Sequence, residues 1–110
     1  MCNIMIEQIS TAELENLINK DQNDSLIIVD VREPYEYEEG HIANSVNIPL
    51  NQLPLALESF EEDQNYYMVC HLGQRSMHAC NYLAANGIKT TNVIGGMEAW
   101  VGDIEIGNQY

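Results

Sequence analysis

The apolar positions of this chain fall into short runs whose period changes along the sequence. Leu26-Ile27-Ile28-Val29-Asp30-Val31 is a nearly continuous, largely β-branched run, the pattern of a strand buried on both faces. Tyr66-Tyr67-Met68-Val69, ending at Cys70, is a second such run. Ser45-Val46-Asn47-Ile48 predicts a short strand closed by Pro49, and Thr91-Asn92-Val93-Ile94 a last one before Gly95-Gly96. Between these runs the spacing is helical. Ser10 and Glu13 have the spacing of a capping box, with Ile9 and Leu14 at the staple positions. The helix they open is expected to bury Leu14, Leu17 and Ile18 and to end in the polar stretch from Lys20 to Ser25. Pro34 and the Tyr/Glu cluster after it predict a short helix reaching Gly40. Pro54 suits the first turn of a helix carrying Leu55 to Phe60. A further helix runs from about Ser76 to Asn86, with Gly87 at the stop position. Strands alternating with helices predict an α/β fold around a mostly parallel sheet. Ligands of such sheets gather at the carboxyl ends of the strands, where Asp30 and Cys70 both fall.

A length of 110 residues suits one domain, 1–110, and there is no repeat, linker or low-complexity tract. Charge narrows the range of partners. Four basic against 17 acidic residues give a formal charge of -13, which speaks against nucleic acid and anionic membranes and repels small anions. No apolar run approaches the ~18 residues of a membrane span. Met1 to Glu7 has neither a basic nor a long apolar segment, so a cytoplasmic location is expected. Three widely spaced cysteines make no disulfide framework, which leaves each as either core filler or a working thiol.

Cys70-His71-Leu72-Gly73-Gln74-Arg75-Ser76 joins a buried strand to a helix. A helix N-terminus offers free backbone N–H groups and favours negative charge. Gly73 allows the chain to curl so that the amides of His71, Leu72, Gly73, Gln74 and Arg75 converge. Cys70 at the entrance would have its thiolate stabilised. Arg75 is the fixed cation of the loop, there to add charge or to brace it, and His71 adds a second charge when protonated.

With these residues in place the chain resembles a single-domain rhodanese. Four motifs carry the resemblance in order: Asp30-Val31-Arg32 after a buried strand; Gly40-His41-Ile42 with Ile48-Pro49 downstream; the Cys70 to Ser76 loop; and Gly95-Gly96-Met97-Glu98-Ala99-Trp100. The resemblance implies a rhodanese-like α/β fold, a five-stranded mostly parallel sheet flanked by helices on both faces. It also implies a sulfurtransferase in which Cys70 attacks sulfane sulfur, becomes a persulfide and passes the sulfur on. The donor would be thiosulfate or a persulfide, and the acceptor a thiol, cyanide or a protein; no cofactor is called for. The alternative is a non-catalytic or sulfur-carrier module serving one dedicated protein. Many such domains carry a basic residue directly after the cysteine. This one carries His71, which, with the acidic total charge, points away from thiosulfate as the preferred donor.

The similar cradle of protein tyrosine phosphatases has five residues between Cys and Arg. Here there are four, His71 to Gln74, and the tighter ring suits one added sulfur better than a phosphoryl group. Cys80 shares a helical face with Met77 and Leu83 and reads as filler. Cys2 lies near the terminus. His78 and Cys80, two apart on a helix, diverge, so no metal site is expected. His41 is expected to be a structural hydrogen-bonding residue and Trp100 a core anchor. Glu58 to Asp63 reads as a solvated face. Asp30 and Arg32 are candidates either to support the site or to pair in the core, and Arg32 and Glu36 have the spacing of a helical ion pair.

Overall fold

Alternate residues of a strand face opposite ways, so an unbroken apolar run needs cover on both sides. A computed structural model, which describes residues 5–20 and 25–107, shows that arrangement. The strands are β1 (Glu7–Ser10), β2 (Leu26–Asp30), β3 (His41–Ile42), β4 (Val46–Asn47), β5 (Asn65–Val69), β6 (Thr90–Ile94) and β7 (Ile104–Glu105). Five form one sheet in the order β1-β6-β5-β2-β4, with every pairing parallel. The helices are α1 (Thr11–Lys20), α2 (Pro34–Glu39), α3 (Leu53–Ala56), α4 (Gln74–Ala85) and α5 (Gly96–Ala99).

On one face Val29 of β2 and Tyr66 and Met68 of β5 pack with Leu53 of α3 and Ala79, Cys80 and Leu83 of α4. On the other, Ile28, Val69 and Val93 pack with Leu14 of α1, and Met97 and Trp100 lie against them. Each fully buried apolar side chain contributes about 1.5–3 kcal/mol relative to exposure. This two-sided core is the layered architecture that the resemblance implied.

The pattern located four of the five strands. β1 was not predicted, because Glu7 and Gln8 are exposed on an edge strand and only Ile9 marks it as apolar. The capping box is present at the junction of β1 and α1: the Glu13 N–H donates to Ser10 Oγ (3.0 Å) and the Ser10 N–H to Glu13 Oε1 (3.1 Å). Leu14 is buried and Ile18 half-buried as expected, but Leu17 is exposed, since it has turned past the narrow stripe that meets the sheet. The predicted helix after Pro54 is only α3, followed by a 3-10 turn, Leu57–Ser59. Phe60 turns back into the core between exposed acidic neighbours. α4 begins two residues before Ser76, so Gly73 is its N-cap and the loop is shorter than its sequence implied. The small antiparallel pair β3–β7 was also unpredicted; it lays the chain near residue 105 across Gly40-His41-Ile42.

Among the described residues no helix is long and apolar enough to cross a membrane. Cys2 lies outside the described residues.

Candidate functional site

Cys70 follows directly on β5 and is buried, 1% exposed. Gly73 stands at a φ of 105°, the left-handed region that glycine occupies without a Cβ penalty. That curl brings the Gly73 N–H to within 3.0 Å of Cys70 Sγ. The first hydrogen bond of α4 runs from the Met77 N–H to the Gly73 carbonyl. The amides of Gln74, Arg75 and Ser76 therefore lie ahead of any acceptor in their own helix. Of the five amides expected to ring the sulfur, that of Gly73 is hydrogen-bonded to it. Leu72 and Gln74 project outward, exposed.

Ser76 Oγ lies 3.3 Å from Cys70 Sγ and donates to Asn92 Oδ1 at 2.5 Å. The hydroxyl has one proton, so it serves the amide oxygen or the sulfur, not both. While Asn92 takes it, the Cys70 S–H can donate to Ser76. An anionic sulfur, which cannot donate, would compete with Asn92 Oδ1 for that hydroxyl proton. Asn92 is itself fixed by donating to Gln8 Oε1 (3.0 Å), which ties β6, β1 and the loop together. Neither Asn92 nor Gln8 was singled out from the sequence. The available signal was a polar residue within the apolar run of β6, in register with Met68 and so on the α4 face.

The carbonyls of Cys70 and His71 are held from behind. They accept the N–H groups of Met97 (2.8 Å) and Glu98 (2.9 Å) in α5. A Cβ at Gly96 would stand 2.1 Å from the Cys70 carbonyl oxygen and 2.7 Å from that of His71. The Gly95-Gly96 motif thus permits this close approach of two backbones.

The Arg75 side chain is taken up by α2. Its guanidinium grips Glu36 of α2 with two bonds, 2.8 and 3.0 Å. Glu36 Oε1 also accepts the Glu33 N–H at 3.0 Å. The Arg75 hydrogen bonds hold the Glu36 carboxyl down to about 2, against a smaller opposing effect of burial, and Glu36 in turn raises the Arg75 pKa. These bonds brace the loop against α2, and the charge of Arg75 also interacts with Cys70, so its contacts are compatible with both expected roles. The Arg32–Glu36 pair does not form. Arg32 instead clasps buried Asp30, Nε to Oδ1 at 2.9 Å and Nη2 to Oδ2 at 2.8 Å, and donates to the Gly40 carbonyl at 2.7 Å. Breaking such a buried pair from one side typically costs about 3–5 kcal/mol. His41 is fully buried, stacks on Tyr37 with centroids 3.7 Å apart, and bonds the Tyr37 carbonyl through Nδ1 at 2.7 Å.

Beside the loop opens a cleft of about 520 Å³ lined by Arg32, Tyr35, Glu36, Glu39, Gly40, His71, Met97, Trp100 and Ile104. Trp100 therefore packs against the core and also walls this cleft. Cys80 is fully buried, and burial pushes its thiol up to about 11. No group of three or more potential metal ligands gathers among the described residues.

The family profile for the Rhodanese-like domain matches residues 10–103. YtwF of Bacillus subtilis is 43% identical over 98 residues, covering 89% of this chain and 93% of that protein. Thiosulfate sulfurtransferase GlpE of Coxiella burnetii is 32% identical over 98 residues, 88% of this chain and 89% of GlpE. Among solved structures, a rhodanese-like domain protein from Staphylococcus aureus superposes with a TM-score of 0.86 at 40% identity, covering 94% of this chain and all of that one.

Proposed function

This chain belongs to the rhodanese-like domain family, and on that premise we propose that it is a sulfurtransferase with Cys70 as nucleophile and sulfur carrier. The observation that carries the reading is the Gly73 N–H on Cys70 Sγ at the N-terminus of α4. A donor N–H and an oriented helix end favour an anion on that sulfur, which is what both the attacking thiolate and the resulting persulfide are. With a persulfide donor, the Cys70 thiolate attacks the outer sulfur of R–S–SH. The Cys70–S bond forms, the donor S–S bond breaks, and R–S⁻ leaves and takes up the proton. An acceptor thiolate or cyanide then attacks the same outer sulfur and returns Cys70 as thiolate. No separate base is required.

Burial of Cys70 favours a slim substrate: one terminal sulfur can enter where a tetrahedral phosphoryl group with three oxygens would press on the loop. Glu36 occupies the guanidinium of Arg75, which a phosphatase would need for those oxygens. The test is steady-state transfer from a cysteine persulfide to cyanide or a dithiol. Wild type should turn over, Cys70→Ser should not, and neither should hydrolyse an aryl phosphate. Transfer by Cys70→Ser at the wild-type rate would refute the assignment. Stoichiometric loading of Cys70 without release to small acceptors would favour the alternative, a carrier serving a protein partner.

A further inference from the structure

We infer that this site takes sulfur from persulfides R–S–SH whose carrier R is neutral or cationic, and that Glu36, acting through Arg75, and Glu39 set that choice. The inference rests on the sulfurtransferase reading and concerns which donors it serves.

The cations near the sulfur are already paired. Arg75 is bound by both oxygens of Glu36, and Arg32 by both oxygens of Asp30 and by the Gly40 carbonyl. His71 is half exposed and faces Glu98, Nε2 to Oε2 at 3.7 Å, so even its protonated form meets a carboxylate. The cleft beside the loop adds Glu39, which has no cationic partner among the described residues. The lining is therefore net negative, and beyond it lies a chain of formal charge -13.

Charge bookkeeping along the reaction separates the donors. Thiosulfate brings two negative charges to a thiolate, and the total of minus three persists as persulfide anion and sulfite dianion. The Gly73 N–H and the amides opening α4 can receive one anionic sulfur, but a sulfonate lodged in the adjoining cleft would face Glu36 and Glu39, and the nearby Arg32 and Arg75 are already paired. A donor with neutral R that reacts as R–S–SH brings no added charge: the proton of its outer sulfur passes to R–S⁻ as that leaves, and the total of minus one ends on the Cys70 persulfide. A cationic R places its positive charge over Glu39 and Glu98 and is drawn in by the field of the whole molecule. Tyr35, Met97, Trp100 and Ile104 give the body of R an apolar wall.

The experiment measures the rate of persulfide formation on Cys70 by intact mass. The donors are thiosulfate, cysteamine persulfide, and persulfides of three cysteine tripeptides flanked by Glu, by Asn or by Lys. Each rate is divided by that donor's rate with a free neutral thiol, which removes differences in intrinsic reactivity. At low salt the Lys-flanked donor should load faster than the Glu-flanked one by about tenfold or more, the scale of electrostatic steering. The ratio should shrink toward one in ~1 M salt, where the screening length falls to ~3 Å. Glu39→Gln and Glu36→Gln should each lower the Lys-to-Glu ratio, and Glu36→Gln, by releasing Arg75, should raise thiosulfate loading relative to the cationic peptide. A merely structural role for Glu36 would slow all donors alike and leave the ratio unchanged. Equal rates for cysteamine persulfide and the Lys-flanked peptide would assign the preference to charge alone, and a faster peptide to a polypeptide carrier. A flat or reversed charge series overturns the inference while the sulfurtransferase reading stands; no loading by any donor overturns both.

Discussion

Gly96 and Gly73 each shape the loop around Cys70, and their substitutions should fail for different reasons. At Gly96 a methyl group collides with the carbonyls of Cys70 and His71, so Gly96→Ala must push α5 or the loop away. At Gly73 the obstacle is chiefly conformational, a φ of 105°, with the Gly95 nitrogen 3.3 Å from the added carbon. Gly96→Ala and Gly73→Val are each expected to lose at least about tenfold in loading rate, the scale of one hydrogen bond to a charged group. Gly96→Ala should also melt earlier, by several degrees. Persulfide mass kinetics beside thermal unfolding checks this, and normal loading by either variant contradicts the cradle. At this scale the sequence was legible wherever a residue acts through its own backbone or its near neighbours. The turn at Gly73 and the Ser10–Glu13 box are such cases. It was not legible where partners lie far apart in the chain. Arg75 and Glu36 are 39 residues apart, and only the fold decides that Glu36 takes Arg75 rather than Arg32.

Between elements, that pair is the strut linking α2 to the loop and first turn of α4. Glu36→Gln keeps an acceptor for the Glu33 N–H and removes the charge. Because Arg75 holds the folded Glu36 carboxyl at about 2, below its usual 4.5, the stabilisation is fully present above about pH 4.5. It is lost as pH falls through about 2. The Arg75 side chain is 36% exposed, so the effect should be modest, about 1 kcal/mol near neutral pH. Thermal melts across pH should show wild type above Glu36→Gln at pH 5–7 and the two converging below 4.5. A gap that persists unchanged at pH 2 would mean the charge pair is not its source. The central strands and α4 were legible because their apolar faces are long enough to show a period. β1, β3 and β7 were not: they are short pairings whose residues are partly exposed or drawn into register by a distant segment.

For the whole molecule, a two-faced core fixes β5 and α4 so that the chain between them has one geometry, and Cys70 sits at its base. The resemblance carried in four ordered motifs anticipated this architecture. Local pattern alone supplied the alternation of strands and helices but not the fifth strand or the cleft walled by Trp100 and Ile104. The same core gives the molecule a second buried thiol as an internal control. Cys80, raised to about 11 by burial, remains a neutral thiol near neutral pH. Its folded-state preference for that form is complete below about pH 9 and fades only as pH rises toward 11. The most direct test of the central claim is therefore to load the protein near neutral pH with a cysteine persulfide, digest it and locate the added sulfur by mass. The account predicts one added sulfur atom, on Cys70, and none in Cys70→Ser. Sulfur found on Cys80, or loading that survives Cys70→Ser, would contradict it.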